Sequence, residues 1–163
     1  MDETTKPHDG TITTLEPILA SHPFLKDLDP HHLHLITECA SNARFSAGEY
    51  LLHEGDEATH FYLIRAGNVA LEVAPPNRPP LVLQTVGEGE VVGWSWFFPP
   101  YRWHFDARAI TQTRAIAIDA ECLRHMCDDD PVLGYRLARQ FASIQVERLQ
   151  AAMLQLIDMY GKV

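Results

Sequence analysis

The chain has 163 residues, 46% of them hydrophobic and 21% charged, which suits one domain with a real core and leaves too little length for two of ordinary size. No apolar run is long enough for a membrane-spanning helix, and the opening MDETTKPHDGTITT lacks the apolar stretch of a secretory signal, so the expected setting is the cytoplasm. A formal charge of −9, with no Lys/Arg run to offset it, opposes direct DNA binding.

Residues 1–14 lack periodicity and are expected as a flexible tail, followed by a domain over 15–130 and a long helix over 131–163. Leu15, Ile18 and Leu19 fall at helical spacing before His22-Pro23. Asp29-Pro30 opens a second helix whose apolar face carries Leu33, Ile36 and Ala40. From Ser41 the chain breaks into short alternating runs punctuated by glycine. Phe61–Arg65 and Val69–Val73 flank Gly67-Asn68 as an expected hairpin, Leu81–Val86 follows a Pro-rich loop, and Ala107–Ile110 and Arg114–Ile118 supply the last strands. The sum is an α+β chain built on an antiparallel β-roll, jelly-roll-like, with short helices before it. Asp119 caps a helix to about Asp128, and Asp130-Pro131 starts one that runs unbroken to Tyr160.

Aromatic residues concentrate between Gly89 and Ala109, GEVVGWSWFFPPYRWHFDARA. Gly93 and Pro99-Pro100 limit this stretch to a tight turn, at most one helical turn, and a loop. Its aromatic side chains cannot all face water, so most line or fill a pocket.

Phe45-Ser46-Ala47-Gly48-Glu49-Tyr50-Leu51, His53-Glu54-Gly55-Asp56, Phe61 to Val69, and Gly89-Glu90-Val91-Val92-Gly93 occur in an order that resembles the cyclic-nucleotide-binding domain of the catabolite-activator/FNR (Crp/Fnr) regulators. The resemblance runs from about Leu15 to Tyr160. It implies the cyclic-nucleotide-binding fold, a dimerisation helix at the C-terminus, and a phosphate-binding cassette after Gly93. In that family a Gly-Glu pair opens the cassette and an Arg-Ser/Thr-Ala triplet closes it. Here Trp94 takes the place of the ribose-binding glutamate, and Phe105-Asp106-Ala107 that of the triplet. Phe105 offers no donor to a phosphate, a lost charged hydrogen bond costs about 1.5–3 kcal/mol, and Asp106 adds like-charge repulsion. Arg102 and Arg108 are the candidate substitute anchors, with Asp106 as a rival partner for Arg108.

The implied ligand site is therefore Gly93, Trp94, Ser95, Trp96, Phe97, Arg102, His104, Phe105, Asp106, Ala107 and Arg108. His104 is also a candidate haem ligand, without a visible partner. His31, His32, His34 and Cys39 share a predicted helix, with His31 and His34 on one face, but no second ligand pair lies at a recognisable spacing, so no metal site is expected. Cys39, Cys122 and Cys127, odd in number and irregularly spaced, read as ordinary thiols of a reducing compartment. Motifs for nucleophilic, phosphate-loop or zinc hydrolase chemistry are missing, which argues against an enzyme. Leu149, Ala152, Leu156 and Met159 form an a/d-like stripe that either packs back on the roll or, given the helix length, pairs with a second copy. The resemblance also implies a helix-turn-helix domain after the long helix, whereas the chain stops at Val163, so output is expected through the helix, the aromatic segment or a partner protein. The leading reading is a regulatory sensor for a ligand less anionic than cyclic AMP or cyclic GMP. Its alternatives are a protein-interaction adaptor with a pocket plugged by Trp94, Phe97 and Phe105, and a cyclic-nucleotide receptor using Arg102 or Arg108.

Overall fold

The computed structural model describes residues 9–161, with side chains from Leu15 onward, so residues 1–8 of the expected tail lie outside the described residues. The first helix, α1 (Asp9–Ser21), begins inside the stretch expected as tail and carries Leu15 and Leu19 inward. Helix α2 (Pro30–Thr37) starts where Asp29 accepts the His31 amide at 2.8 Å, with Pro30 in its first turn. It ends before Ala40, which opens a strand instead of extending the helical face.

Eight strands follow in two four-stranded antiparallel sheets. The first holds β1 (Ala40–Phe45), β8 (Thr113–Asp119), β3 (His60–Ala66) and β6 (Val91–Val92), in that order. The second holds β2 (Tyr50–Leu52), β7 (Asp106–Ala109), β4 (Val69–Val73) and β5 (Leu81–Val86). The α+β roll expected from the glycine punctuation is the observed fold. Leu63, Ile64, Ile116 and Ile118 from one sheet and Val69, Leu71 and Ala107 from the other are all buried, and the consecutive burial of Leu63-Ile64 and of residues 115–118 means that both faces of these central strands are covered.

The expected hairpin about Gly67-Asn68 is corrected. β3 pairs with β8 and β4 with β7, so this turn passes the chain from one sheet to the other. Gly67, at φ 99°, sits so close to the Gln112-Thr113 backbone that a Cβ there would come within 2.5 Å of the Gln112 carbonyl. Two sheet-changing turns thus dock on each other, and the Ile110 amide donates to the Asn68 carbonyl at 2.8 Å.

The three cysteines are not all free. Cys39 and Cys122 form a disulfide with Cα atoms 5.8 Å apart, and Cys127 alone is a thiol. The pairing follows from topology: β1 and β8 are neighbours, the Asp119 amide donates to the Cys39 carbonyl, and Asp119 then caps α3 (Ala120–Asp129) by accepting the Cys122 amide at 2.9 Å. An 83-residue separation hides this proximity in the sequence.

The chain divides into two compact units, Met1–His125 and Met126–Val163. The second is dominated by α4 (Pro131–Gly161), 31 residues or about 46 Å long. Leu133, Leu137 and Phe141 are buried, whereas every residue from Ala151 to Gly161 is exposed. Among the described residues no helix is long and apolar enough to cross a membrane.

Candidate functional site

The stretch between β6 and β7 is a turn at Gly93, a single 3-10 turn over Ser95–Phe97, and a loop through Pro99-Pro100. Gly93, at φ 102°, is required twice over. The backbone is left-handed there, and a Cβ would lie 2.7 Å from the Trp103 ring. Trp103, 4% exposed, is thus seated directly on the glycine that opens the cassette. Trp96 is fully buried and stacked on Phe61 at 4.7 Å between ring centroids, and Phe105 is buried as well. These large side chains pack into the segment rather than line open space.

One polar pair interrupts the aromatic packing. Buried Ser95 bonds through Oγ to Nδ1 of His104 at 2.9 Å, and the exposed His104 ring stacks face-on against half-buried Trp94 at 5.0 Å. Phe97 is half-buried and Phe98 open to solvent. For the haem reading of His104 the structure adds nothing beyond this arrangement, and no group of three or more metal-ligating side chains occurs among the described residues. His34, on the helix considered for metal, instead bonds Glu16 at 3.2 Å.

Both candidate substitute arginines have other partners. Arg102 is exposed, lies opposite Glu57 in a backbone β-bridge, and donates from Nη1 to the Gly55 carbonyl at 3.0 Å. Arg108 does not pair with Asp106: its Nη2 and Nε donate to the buried Glu72 carboxylate at 2.7 and 3.2 Å, which raises the Arg108 pKa. The register accounts for this. Arg108 lies opposite Ala70 and Asp106 opposite Glu72, so the guanidinium reaches diagonally to the carboxylate on β4. Asp106 is turned to the loop before β3, where it accepts the Glu54 amide at 2.7 Å. Ala107 is fully buried on β7.

Arg124 on α3, not anticipated from sequence, ties the cassette down. Its Nη1 donates to the Trp96 carbonyl at 2.8 Å, and its guanidinium lies over the Tyr101 ring at 4.2 Å. Glu72 and Phe61 likewise lie outside the expected site, whereas Trp103 belongs to the aromatic stretch expected to line or fill a pocket; a lone arginine in a helix carries no spacing signal.

A β-roll that presents a glycine-opened turn and one helical turn between its sixth and seventh strands defines the class, a regulatory module of cyclic-nucleotide-binding fold. Residues 43–130 match the cyclic nucleotide-binding domain family, and the chain belongs to it. The CRP-like cAMP-activated global transcriptional regulator of Mycobacterium tuberculosis is 25% identical over 128 residues, 78% of this chain and 57% of that protein. The chain therefore spans little more than half the length of the curated relatives it matches. A solved cyclic nucleotide-binding domain from Methylobacillus flagellatus superposes with a TM-score of 0.74 at 16% identity, covering 93% of this chain and 85% of that one. The regulatory subunit of a cAMP-independent protein kinase A from Trypanosoma cruzi, bound to guanosine, gives a TM-score of 0.62 at 26% identity, covering 78% of this chain and 49% of that one.

Proposed function

We propose that the chain is a non-enzymatic regulatory module whose cassette takes no cyclic nucleotide, being filled by its own aromatic side chains, and that it signals through protein contacts. The observation that carries this reading is Trp103 seated on Gly93. The engagement of Arg108 supports it, because its guanidinium is held by the Glu72 carboxylate, while exposed Arg102 gives one N–H to the Gly55 carbonyl. The aromatic plug expected from Trp94, Phe97 and Phe105 is reassigned to Trp96, Trp103 and Phe105. Arg124 gives the module a physical link, since any displacement of the cassette pulls on the first turns of α3. Homodimerisation through α4 and the lack of direct DNA binding belong to the same reading.

Removing the plug tests the proposal. Trp103→Ala should cost about 3–5 kcal/mol of stability, and indole should restore part of it by occupying the space above Gly93. Loss of stability without rescue by indole contradicts a plugged ligand cavity.

A second reading, a sensor for an uncharged ring ligand, is favoured by the Trp94–His104 stack, whose rings are half-buried and exposed and so can meet a further ring. A relative bound to guanosine is consistent with it. Saturable quenching of tryptophan fluorescence by guanosine, lost in Trp94→Ala, would select this reading over the first.

A further inference from the structure

Three of the chain's ten arginines, Arg44, Arg65 and Arg114, lie far apart in sequence yet line one cavity of about 360 Å³ on the first sheet. The strand register brings them together. Arg44 on β1 stands directly opposite Arg114 on β8. Opposed residues of an antiparallel pair share a face with Cβ atoms about 4.5–5.5 Å apart, where like charges are destabilising. The third comes from a bulge: pairing of β3 with β8 passes from Ile64 opposite Ala115 to Ala66 opposite Arg114, which leaves Arg65 as the extra residue. A bulge is a device for re-aiming a side chain. Asn42, Ile18 of α1, Ala43 and Ala115 complete the lining.

Among the described residues, no carboxylate lies within ion-pair distance of any of the three guanidiniums. Glu16, two positions from Ile18 on α1, is bonded to His34. The chain has 22 acidic residues against 13 basic ones, so unmatched positive charge gathered in one hollow runs against its own balance. Stability alone gives no reason to oppose Arg44 and Arg114.

We propose that this cavity is a binding site for a small polyphosphate anion, separate from the cassette, with which it shares no lining residue. Guanidinium forks match phosphate oxygens two at a time, and three of them suit a ligand with several negative charges. The cavity is at the small end of the roughly 300–1,000 Å³ typical of ligand sites, which fits a phosphate chain, free or carried on a nucleoside. The proposal is independent of how the cassette is read.

Calorimetry at low ionic strength, with tripolyphosphate and ATP as probes and sulfate as control, tests it. Saturable binding of tripolyphosphate at one site per chain is expected, weakening as salt rises. Each of Arg44→Gln, Arg65→Gln and Arg114→Gln should weaken it about tenfold or more. Equal affinity for ATP identifies the phosphate chain alone as the ligand, and tighter binding of ATP a nucleotide. Arg114→Gln should also melt no lower than the wild type without ligand, because it relieves the opposed pair, while losing the rise in Tm that tripolyphosphate gives the wild type. Absence of saturable binding, binding indifferent to all three substitutions, or an equal Tm rise with sulfate at matched ionic strength would overturn the proposal.

Discussion

His22 is held by hydrogen bonds at both ring nitrogens, Nε2 donating to the Ile64 carbonyl and Nδ1 accepting the Phe24 amide, each at 3.2 Å. That pairing requires the neutral ring, since a protonated Nδ1 cannot accept. Burial pushes its pKa below the ordinary 6.5, and the Ile64 carbonyl offsets this only in part. The folded state thus binds the proton less readily than the unfolded chain. The contribution of His22 is complete above pH 6.5 and is lost as pH falls from there through the lowered folded value. Urea midpoints should therefore drop as pH falls below about 6.5, and His22→Gln should flatten the drop, since an amide can both donate and accept without titrating. An unchanged pH slope in that variant would contradict the assignment. At the cassette, the sequence shows which side chains stand at the family's ribose and phosphate positions, Trp94, Phe105 and Asp106. Which aromatic ring sits on Gly93 is not legible there, because burial of Trp103 depends on the path of the Pro99-Pro100 loop and not on spacing.

Among elements, the helices were the most legible, because Asp29-Pro30, Asp119 and Asp130-Pro131 place cap chemistry beside apolar periodicity. Strand partners were not, since alternation says which face is buried and nothing about the neighbour; Gly67-Asn68 reads as a hairpin turn and serves as a crossing between sheets. The Cys39–Cys122 pairing was hidden for the same reason, being set by the β1–β8 neighbourhood. It closes a long loop, and the chain-entropy treatment assigns it about 4.5 kcal/mol. Cys127, by contrast, has its pKa pushed up to about 11 by burial, with Asp128 and Asp130 adding to the effect. Its thiolate fraction at pH 8 is on the order of one in a thousand, too little for rapid attack. A disulfide-exchange reagent should find no fast thiol in the native unreduced protein, one after unfolding, and three after unfolding with reductant. Three thiols without reductant would contradict the pairing.

For the whole molecule, the second half of α4 is the largest unexplained apolar exposure, with Leu149, Leu156 and Met159 at 60%, 53% and 70%. Residues this apolar at a/d-like spacing suit a helix-to-helix seam between two copies. Light scattering should give twice 18.4 kDa, and Leu156→Asp should return a monomer by placing a charge in a desolvated seam. A monomeric wild type would remove the dimer. The family and its fold are shared with proteins described as cAMP-activated and with others described as cAMP-independent, so membership alone does not decide what this cassette responds to. The seating of Trp103 on Gly93 and the engagement of Arg108 by Glu72 are the observations that support the proposal that this cassette takes no cyclic nucleotide. The most direct test is calorimetric titration of the unmodified protein with cyclic AMP and cyclic GMP. The account predicts no binding tighter than about millimolar, roughly 4 kcal/mol, and micromolar binding of either nucleotide would contradict it.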